Sequence, residues 1–363
     1  MLGSPYFFFS GVKSHEQQVK RFFFIRQRPF KSGSVGYGWW GREAYGPAIQ
    51  KDGRAEIVAV CARSKATLDK AREDIGAHLS LYEDFTKLLA QESLDALFIA
   101  VPDELHESYL RQAIETGVAI FYEPPISNQP ERIPAMLDVL QNASQLLHGD
   151  TELVYTPVFQ QTSDLINDNL IGDIRHISLE LNSNWGPIPD CELSLINNIA
   201  PWYFDVISRV SGKLPKRVMV LEDSDYISSL SQNQSLAVLD FGTFSATLRA
   251  NIAAAVASDE TTLTVHGTEG DLVASYFTGN LKWRTRANPE WSQKQVDPIL
   301  PVAGWPGIHE SVIAFFNALQ QGERTLNNPW RMAQMCAAGA AAETSRLNRD
   351  WIDVQYPAES AAP

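Results

Sequence analysis

The chain has 363 residues, of which 44% are hydrophobic and 20% are charged, and its formal net charge is -13. This composition predicts a globular chain long enough for two domains, each with its own core. An acidic chain repels phosphate backbones, and no apolar run approaches the ~20 residues of a membrane-spanning helix, so we expect no nucleic-acid partner and no membrane. The three cysteines show no CxxC spacing, which favours a reducing, cytoplasmic location without a bound metal.

Residues 1–34 differ in composition from the rest of the chain. They hold six Lys or Arg residues, one acid and two phenylalanine triplets. The order of the basic and apolar stretches does not fit a signal peptide. The segment before Val35 reads PFKSGS, which is poor in the apolar residues that a first buried strand needs. We therefore interpret residues 1–34 as an N-terminal extension that is disordered or not native.

Residues 35–152 alternate short apolar runs with helical patterns, which predicts a dinucleotide-binding domain. Strands are expected at 56–61, 94–101 and 118–122, and helices at 67–75 and 105–117. Near-continuous apolar strands separated by helices indicate a parallel sheet covered on both faces. We expect an α/β fold with a Rossmann domain in this part of the chain.

Residues 153–363 show a different pattern, which predicts a second domain for substrate binding and oligomerisation. After a helix around 195–210, several alternating runs follow one another, among them RVMVL, SLAVLDF, FSATLRA, TTLTVHG and DLVASYF. Short strands joined by turns indicate a large, mostly antiparallel sheet. The last segment is helical and rich in alanine.

The stretch VGYGWWG places Gly36, Gly38 and Gly41 in the spacing GxGxxG. Glycines at these positions permit a tight turn, close approach of the backbone to a pyrophosphate, and close packing of a helix on a strand. The strand–helix series that follows is the context that this motif requires. The motif therefore predicts a nicotinamide dinucleotide as cofactor.

The choice of cofactor depends on the residues after the second strand. An acid there accepts hydrogen bonds from the ribose 2′-OH of NAD(H). The strand instead ends Cys-Ala-Arg-Ser-Lys, where Arg63 and Ser64 are suited to a phosphate. The sequence therefore favours NADP(H) over NAD(H), with solvated loop cations as the alternative interpretation.

With these motifs in place, the chain resembles the Gfo/Idh/MocA oxidoreductase family over about residues 35–354. The resemblance rests on several motifs in order: GYGWWG (36–41), LYEDFTKLL (81–89), IAVPDELH (99–106), YEPP (122–125), IGD (171–173), VHGTEGDL (265–272) and AAETSRLNRDWIDV (341–354). It implies a Rossmann domain followed by an α/β domain with a large, mostly antiparallel open sheet. In the family this sheet often forms the subunit contact, so a homodimer or homotetramer is expected.

The same resemblance implies positions for the cofactor and the chemistry. The family's Glu-Lys-Pro motif aligns with Glu123, Pro124 and Pro125, so Pro124 stands where the family has its lysine. A second family motif, Asp-x-Gly-x-His-x-x-Asp, aligns with residues 198–205; there Asn198 replaces the first acid, Trp202 replaces the histidine, and Asp205 is kept. The cofactor-binding residues predicted from the loop and the resemblance together are Gly36, Tyr37, Gly38, Trp39, Trp40, Gly41, Arg63, Ser64, Val101, Pro102, His106, Glu123 and Pro124.

The two replacements remove the family's expected proton-transfer groups. Proline has no titratable group, and an indole cannot act as a base near neutral pH. Three nearby side chains are candidate catalytic substitutes, namely Tyr122 and Tyr203 as proton donors and Asp205 as an acceptor. Each has a structural alternative, in sheet packing, on the helix surface or in orienting its neighbours.

Four tryptophans lie in segments that this alignment brings to the site: Trp39, Trp40, Trp185 and Trp202. If they converge, they form a flat apolar pocket for a ring or a sugar face; core packing is the alternative. The sequence thus leaves three interpretations open. They are an NAD(P)-dependent oxidoreductase with an altered active site acting on a sugar-like or conjugated small molecule, a non-catalytic sensor of a dinucleotide or sugar, and an inactive partner subunit.

Overall fold

A computed structural model of the chain describes residues 28–184, 195–223, 234–255, 259–296 and 305–357. Two sheets organise these residues, one of six strands and one of nine. The predicted fold class is confirmed: a Rossmann domain precedes a domain built on a large, mostly antiparallel open sheet. No helix in the described ranges is both long enough and apolar enough to cross a bilayer.

The first sheet is parallel throughout and has the strand order β3-β2-β1-β4-β5-β6. Its strands are β1 (Phe30–Val35), β2 (Ala55–Cys61), β3 (Ser80–Tyr82), β4 (Ala96–Ile99), β5 (Ala119–Tyr122) and β6 (Leu147–Gly149). The direction of winding reverses between β1 and β4. In open parallel sheets this reversal creates a crevice at the carboxyl ends of the strands, where ligands bind.

Helices cover both faces of this sheet, as the continuous apolar strands predict. They are α1 (Gly46–Asp52), α2 (Lys65–Ile75), α3 (Phe85–Gln91), α4 (Asp103–Ile114) and α5 (Ile133–Gln141). A π-type turn, Trp40–Tyr45, joins the glycine loop to α1. Side chains at the starts of α2 and α3 cap those helices: Ser64 accepts from the backbone of Thr67, and Asp84 accepts from Thr86 and Lys87.

The boundary predicted after residue 34 differs from the structure, because residues 30–34 form most of the central strand β1. Residues 1–27 lie outside the described part of the chain. The polar appearance of β1 has a packing explanation. Ser32 and Ser34 are buried between β2 and β4, and a Cβ on Gly33 would lie 2.6 Å from a methyl group of Leu94. Small residues are thus required where an apolar run was expected.

The second sheet has the order β14-β13-β12-β11-β7-β10-β9-β8-β15, and only β7 and β10 pair in parallel. Its strands are β7 (Ile174–Asn182), β8 (Arg217–Asp223), β9 (Gln234–Asp240), β10 (Ser245–Asn251), β11 (Glu260–Gly267), β12 (Gly270–Ser275), β13 (Asn280–Thr285), β14 (Ser292–Gln295) and β15 (Ile352–Asp353). Buried and exposed residues alternate along β9 and β10. One face therefore carries the core, packed against α6 (Pro157–Asn167) and α7 (Ala200–Ser211).

The last two helices connect the two sheets, which differs from the predicted division at residue 153. In α8 (Ile308–Gln321), Phe315 and Phe316 pack against Phe98 of β4 in the core of the Rossmann domain. The long helix α9 (Pro329–Asn348) contributes to both cores. The segment beyond residue 307 therefore packs against both domains.

Candidate active site at the carboxyl edge of the parallel sheet

The three glycines of the loop after β1 differ in the space that surrounds them. Gly36 has a φ of +84°, and a Cβ there would lie 2.1 Å from the carbonyl oxygen of Ala100. A Cβ on Gly41 would lie 2.3 Å from the carbonyl oxygen of Gly36, so this glycine lets the helix pack on the loop. Gly38 is exposed and has no atom within 4 Å of its Cβ direction. The loop thus fits a dinucleotide, with open space where a pyrophosphate approaches the backbone.

The other predicted loop residues fall into two groups. Tyr37 is buried in the core of the Rossmann domain, so only its backbone is available to a cofactor. Trp39 is 54% exposed, and Trp40 packs edge-on against it with ring centres 5.0 Å apart. The tryptophans therefore form the side-chain surface of the loop.

After the end of β2, the side chains of Arg63 and Ser64 differ in their hydrogen bonding. The Ser64 hydroxyl accepts a hydrogen bond from the Thr67 N–H at 3.1 Å, which caps α2. Arg63 is exposed, and within the described residues its guanidinium makes no hydrogen bond or ion pair. An uncommitted guanidinium at this edge is suited to a phosphate group.

The loops after β4 and β5 are joined by one buried histidine. The two ring nitrogens of His106 lie 2.7 Å from the Val101 carbonyl oxygen and 2.9 Å from the Pro125 carbonyl oxygen. Pro102 is exposed and begins α4. His106 therefore holds the loops after β4 and β5 together.

Glu123 and Pro124 follow β5, as the alignment expected. Pro124 is buried, and its peptide bond to Pro125 is cis. The Glu123 carboxyl group is hydrogen-bonded to the Tyr45 hydroxyl. Burial raises the pKa of Glu123 well above its usual value, and the charges of Asp150 and Glu152 add to this. We call Glu123, Asp150 and Glu152 the carboxyl cluster.

Asp150, which follows β6, is held by two hydroxyl groups. The Tyr45 hydroxyl lies 3.0 Å from one carboxyl oxygen, and the Ser311 hydroxyl donates to the other at 2.6 Å. Burial raises the pKa of Asp150, although the bond from Ser311 opposes this shift. Tyr45 has one hydroxyl proton and two carboxyl partners, so one of these carboxyl groups must itself carry a proton.

A buried histidine extends this hydrogen-bonded chain. Because the Ser311 proton is donated to Asp150, the Nε2–H of His148 donates to Ser311 at 3.0 Å, and Nδ1 accepts from Thr325 at 2.9 Å. Burial, together with the positive charge of Arg209, lowers the pKa of His148 to about 3. The imidazole is therefore neutral, in one tautomer.

Glu152 completes the carboxyl cluster and contacts the substrate-domain helix. Its two carboxyl oxygens accept hydrogen bonds from the indole N–H groups of Trp305, at 2.5 Å, and Trp202, at 3.1 Å. Burial raises the pKa of Glu152 to about 8, and the charge of Asp150 also raises it, against the two indole bonds. Trp202, which the resemblance aligns with the family's histidine, therefore donates a hydrogen bond to an acid.

The three catalytic candidates chosen from the sequence do not meet. The Tyr122 hydroxyl is buried beneath β5 without a hydrogen-bond partner among the described residues, and Tyr203 is buried in the core of the second domain. Burial raises the pKa of both hydroxyl groups. The rigid burial of both rings in apolar cores gives no support to a proton-donor role.

Asp205 is committed to a buried ion pair. Its carboxylate accepts from Arg209 at 3.0 Å, from Arg331 at 2.5 Å and from the Thr151 hydroxyl at 2.9 Å. Burial alone would raise the pKa of Asp205, but the two arginines outweigh it and hold the pKa below its usual value. This arrangement locks α7 to α9 and matches the orienting role that the sequence left open.

The tryptophans converge only in part. The ring of Trp305 lies edge-on to Trp40 at 6.2 Å and edge-on to Phe277 at 5.2 Å, while its N–H bonds Glu152. Trp305 thus joins the glycine loop to the Trp202 side of the site. Trp185 and the side chain of Asn198 lie outside the described part of the chain.

Sequence reasoning missed the residues that give the site its chemistry. Asp150 and Glu152 follow β6 directly, so their place after a parallel strand was a signal that they lie beside Glu123. Tyr45, Trp305 and Ser311 carried no such signal, because they reach the site only through the packing of α1 and α8. Within the described ranges, no group of three or more His, Cys, Asp or Glu side chains can hold a metal ion.

Comparison with known proteins gives a consistent result. Residues 30–150 match the GFO_IDH_MocA model, described as an oxidoreductase family with an NAD-binding Rossmann fold. D-xylose 1-dehydrogenase (NADP(+)) of Haloarcula marismortui is 29% identical over 147 residues, covering 40% of this chain and 41% of that protein. Oxidoreductase P35 of Formosa agariphila is 21% identical over 267 residues, covering 69% and 80%. The match to the xylose dehydrogenase thus spans about two fifths of its length.

Solved structures share the fold over almost the whole chain. An oxidoreductase from Agrobacterium radiobacter, in complex with NAD+, L-tartaric acid and magnesium, has a TM-score of 0.81 at 18% identity, covering 90% of this chain and 98% of that one. Levoglucosan dehydrogenase, in complex with NADH and levoglucosan, has a TM-score of 0.79 at 18% identity, covering 90% and 100%. At these identities the likeness establishes the fold alone.

Proposed function

By its N-terminal domain, residues 30–150, this chain belongs to the Gfo/Idh/MocA oxidoreductase family, and on that premise we propose that it is an NAD(P)-dependent oxidoreductase with an altered proton-transfer site. The observation that carries the proposal is the combination of an intact glycine loop with a buried carboxyl cluster. The loop fits a dinucleotide, while the cluster stands where the family's lysine is replaced by Pro124.

NADP(H) is the cofactor that the local charges favour. Gly36, Gly38 and Gly41 would hold the pyrophosphate, and Arg63 would meet the 2′-phosphate of the adenosine ribose. No acid follows β2 to accept the ribose 2′-OH of NAD(H). The curated relative from Haloarcula marismortui is named as an NADP(+) enzyme, which agrees with this choice.

When bound, the nicotinamide supplies a hydride donor or acceptor, and the protein supplies the rest. The glycine loop orients the cofactor, and His106 fixes the loops after β4 and β5 beside it. The aromatic rings of Trp40 and Trp305 lie edge-on to each other and offer flat apolar surfaces. The carboxyl cluster holds protons in place of the missing amine.

The substrate class follows from these surfaces. Flat aromatic rings beside hydrogen-bonding carboxyl groups suit a sugar-like molecule or a conjugated ring carrying a carbonyl group. The curated relative named for D-xylose agrees with a polyhydroxylated ligand. A small-molecule substrate, rather than a nucleic acid or a membrane, remains our prediction.

One alternative has its own support. A non-catalytic sensor of a dinucleotide or sugar, or an inactive partner subunit, would also lack the family's lysine and histidine, as this chain does at Pro124 and Trp202. Glu152 is only 3% exposed, and a non-catalytic sensor does not require this carboxyl group to reach a substrate. The two functions differ in whether a bound reduced cofactor is consumed.

Fluorescence titration with NADPH and NADH tests the proposal. We expect NADPH to bind more tightly, and Arg63→Ala to weaken NADPH binding by about tenfold while leaving NADH unchanged, since one charge-assisted contact is lost. Lys65→Ala is the matched control, because Lys65 is an exposed cation two residues away. Absence of binding to either nucleotide rejects the oxidoreductase. Binding without any change in nicotinamide absorbance across aldoses, ketones and conjugated ring carbonyls favours the sensor.

The quaternary structure and location are further proposals. The outer face of the second sheet exposes alternate residues of β9 and β10, which suits a subunit contact. We propose a homodimer or homotetramer through this face, which light scattering of the purified protein tests. A cytoplasmic location stays a prediction.

A further inference from the structure

Glu152 differs from the other buried acids of the site in the partners that hold it. Asp205 is neutralised by two arginines, and Asp150 is bound by two hydroxyl groups. Glu152 instead receives one indole N–H on each carboxyl oxygen, and no ion pair reaches it from the described residues. Its environment is polar enough to orient the carboxyl group but contains no cation to keep it ionised.

The two indoles have a further consequence for the carboxyl proton. An indole N–H only donates, so neither Trp202 nor Trp305 can accept a proton from Glu152. The proton of the acid form therefore has no acceptor in the groups that fix its geometry. It is free for transfer to a third partner, such as the oxygen of a bound carbonyl.

The position of Glu152 also fits such a transfer. It lies two residues beyond Asp150, past the carboxyl end of β6, on the edge where open parallel sheets bind ligands. Trp202 brings it to the substrate-domain helix, and Trp305 brings it to the tryptophans of the glycine loop. Glu152 therefore stands between the cofactor loop and the second domain.

We propose that Glu152 is the proton donor for carbonyl reduction, the role that Pro124 and Trp202 cannot fill. The proposal rests on the proposed function. With reduced nicotinamide as the hydride source, a C–H bond forms at the carbonyl carbon as the C=O π bond breaks. The oxygen takes the proton of Glu152 and becomes an alcohol, the cofactor is oxidised, and the Glu152 carboxylate regains a proton from water.

The protonation state agrees with this direction of reaction. Burial, with the charge of Asp150, raises the pKa of Glu152 to about 8, which favours the acid form that a proton donor needs. The other titratable groups that face it are Glu123 on the β5 side and Tyr203 on α7, and neither supplies a positive charge. The acid form of Glu152 is the state that carbonyl reduction requires.

Infrared difference spectroscopy of the purified full chain provides a test that needs no substrate. The C=O stretch of a protonated carboxyl group at pH 7 is expected to lose intensity in Glu152→Gln and to persist in Glu152→Asp. Glu115→Gln, at an exposed helix end, is the control and should leave the band unchanged. An unchanged band in Glu152→Gln overturns the proposal, whether or not NADPH binds.

Turnover with NADPH and a panel of aldoses, ketones and conjugated ring carbonyls provides the second test. Loss of a positioned acid should lower kcat by roughly 10²–10⁴-fold in Glu152→Gln, with NADPH affinity within about twofold of the parent. Glu152→Asp should retain part of the parent's activity, and that activity should depend on pH. Equal kcat in Glu152→Gln and the parent overturns the role of Glu152 while leaving the oxidoreductase intact. No turnover by a parent protein that binds NADPH rejects both.

Discussion

At the carboxyl edge of the parallel sheet, the glycine loop after β1 depends on backbone geometry, whereas the carboxyl cluster beyond β5 and β6 depends on side chains from distant segments. In the loop, a Cβ on Gly36 or Gly41 would collide with a carbonyl oxygen. In the cluster, Tyr45 of the turn before α1 and Ser311 of α8 hold acids that follow β5 and β6. The loop is constrained where a Cβ would collide with the backbone, and the cluster is constrained by its side-chain hydrogen bonds.

The difference teaches that binding and chemistry are constrained separately in this protein. The loop keeps the features that a dinucleotide requires, and Pro124 and Trp202 stand at the positions where the resemblance implies a lysine and a histidine. Substitutions in the loop should therefore alter folding and cofactor affinity, and substitutions near the cluster should alter protonation. The predictions below separate these two kinds of effect, beginning with the largest.

Asp205→Asn should cause the largest loss of stability. The substitution leaves Arg209 and Arg331 facing a neutral group in a buried site, and breaking a buried ion pair typically costs about 3–5 kcal/mol. Urea unfolding at pH 7 measures the change. If the variant keeps the parent's midpoint but loses NADPH-dependent turnover, Asp205 acts in proton transfer after all, as the sequence had suggested.

Gly36→Ala and Gly38→Ala should differ although they lie two residues apart. A methyl group on Gly36 meets the Ala100 carbonyl oxygen at a positive φ, so we expect about 2–4 kcal/mol of destabilisation. A methyl group on Gly38 meets nothing in the protein, so stability should change by less than about 0.5 kcal/mol while NADPH affinity falls. Thermal melts and fluorescence titration separate the two. Equal stability losses would contradict the assignment of open space at Gly38.

Glu152→Gln should alter how stability depends on pH. The pKa of Glu152 is raised from 4.5 to about 8, so the folded state binds more protons than the unfolded state across that window, and the stability of the parent falls as pH rises through it. The variant has no titrating carboxyl group at this position. Its free energy of unfolding relative to the parent should therefore increase from pH 4.5 to pH 8. One pKa unit corresponds to about 1.4 kcal/mol, which suggests an effect of a few kcal/mol at most.

Urea unfolding at several pH values measures this difference, with Glu115→Gln as the exposed control. A constant difference between Glu152→Gln and the parent from pH 4.5 to pH 8 would show that Glu152 is ionised throughout. That result would show that the carboxyl cluster does not raise the pKa of Glu152. Only the glycine loop would then remain as a distinctive feature.

Pro124→Lys should produce the smallest effect on activity. Restoring the family's lysine does not restore the histidine, because Trp202 stays bonded to Glu152. We therefore expect no sugar dehydrogenase activity above that of the parent, measured by nicotinamide absorbance with NADP+ and a sugar panel. Clear turnover by this single variant would show that the lysine position alone decides the chemistry.

The sequence predicted those parts of the molecule that depend on local patterns. Apolar strands and intervening helices indicated the Rossmann domain, and the spacing of the glycines indicated the loop. The strand β1 was misjudged because Ser32, Gly33 and Ser34 look polar, whereas the structure needs small residues between two neighbouring strands. A pattern of hydropathy does not reveal such a restriction on size.

The candidate site was less accessible to prediction because its partners are far apart in the chain. The acids after β6 were within reach of a rule about strand ends, but Tyr45, Ser311 and Trp305 were not. Their contribution depends on how α1 and α8 pack against the sheet, and α8 follows the second domain in sequence. Side-chain partners of this kind determine whether a buried acid is protonated.

The raised pKa values of Glu123 and Glu152 also affect the electric field that a cofactor meets. The formal charge of -13 counts both residues as anions, yet burial raises the pKa of both carboxyl groups and so favours their neutral forms. A dinucleotide is itself an anion, and ionised acids at this edge would repel it. The raised pKa of these two residues therefore lowers the repulsion that a negatively charged ligand would meet at this edge of a strongly acidic protein.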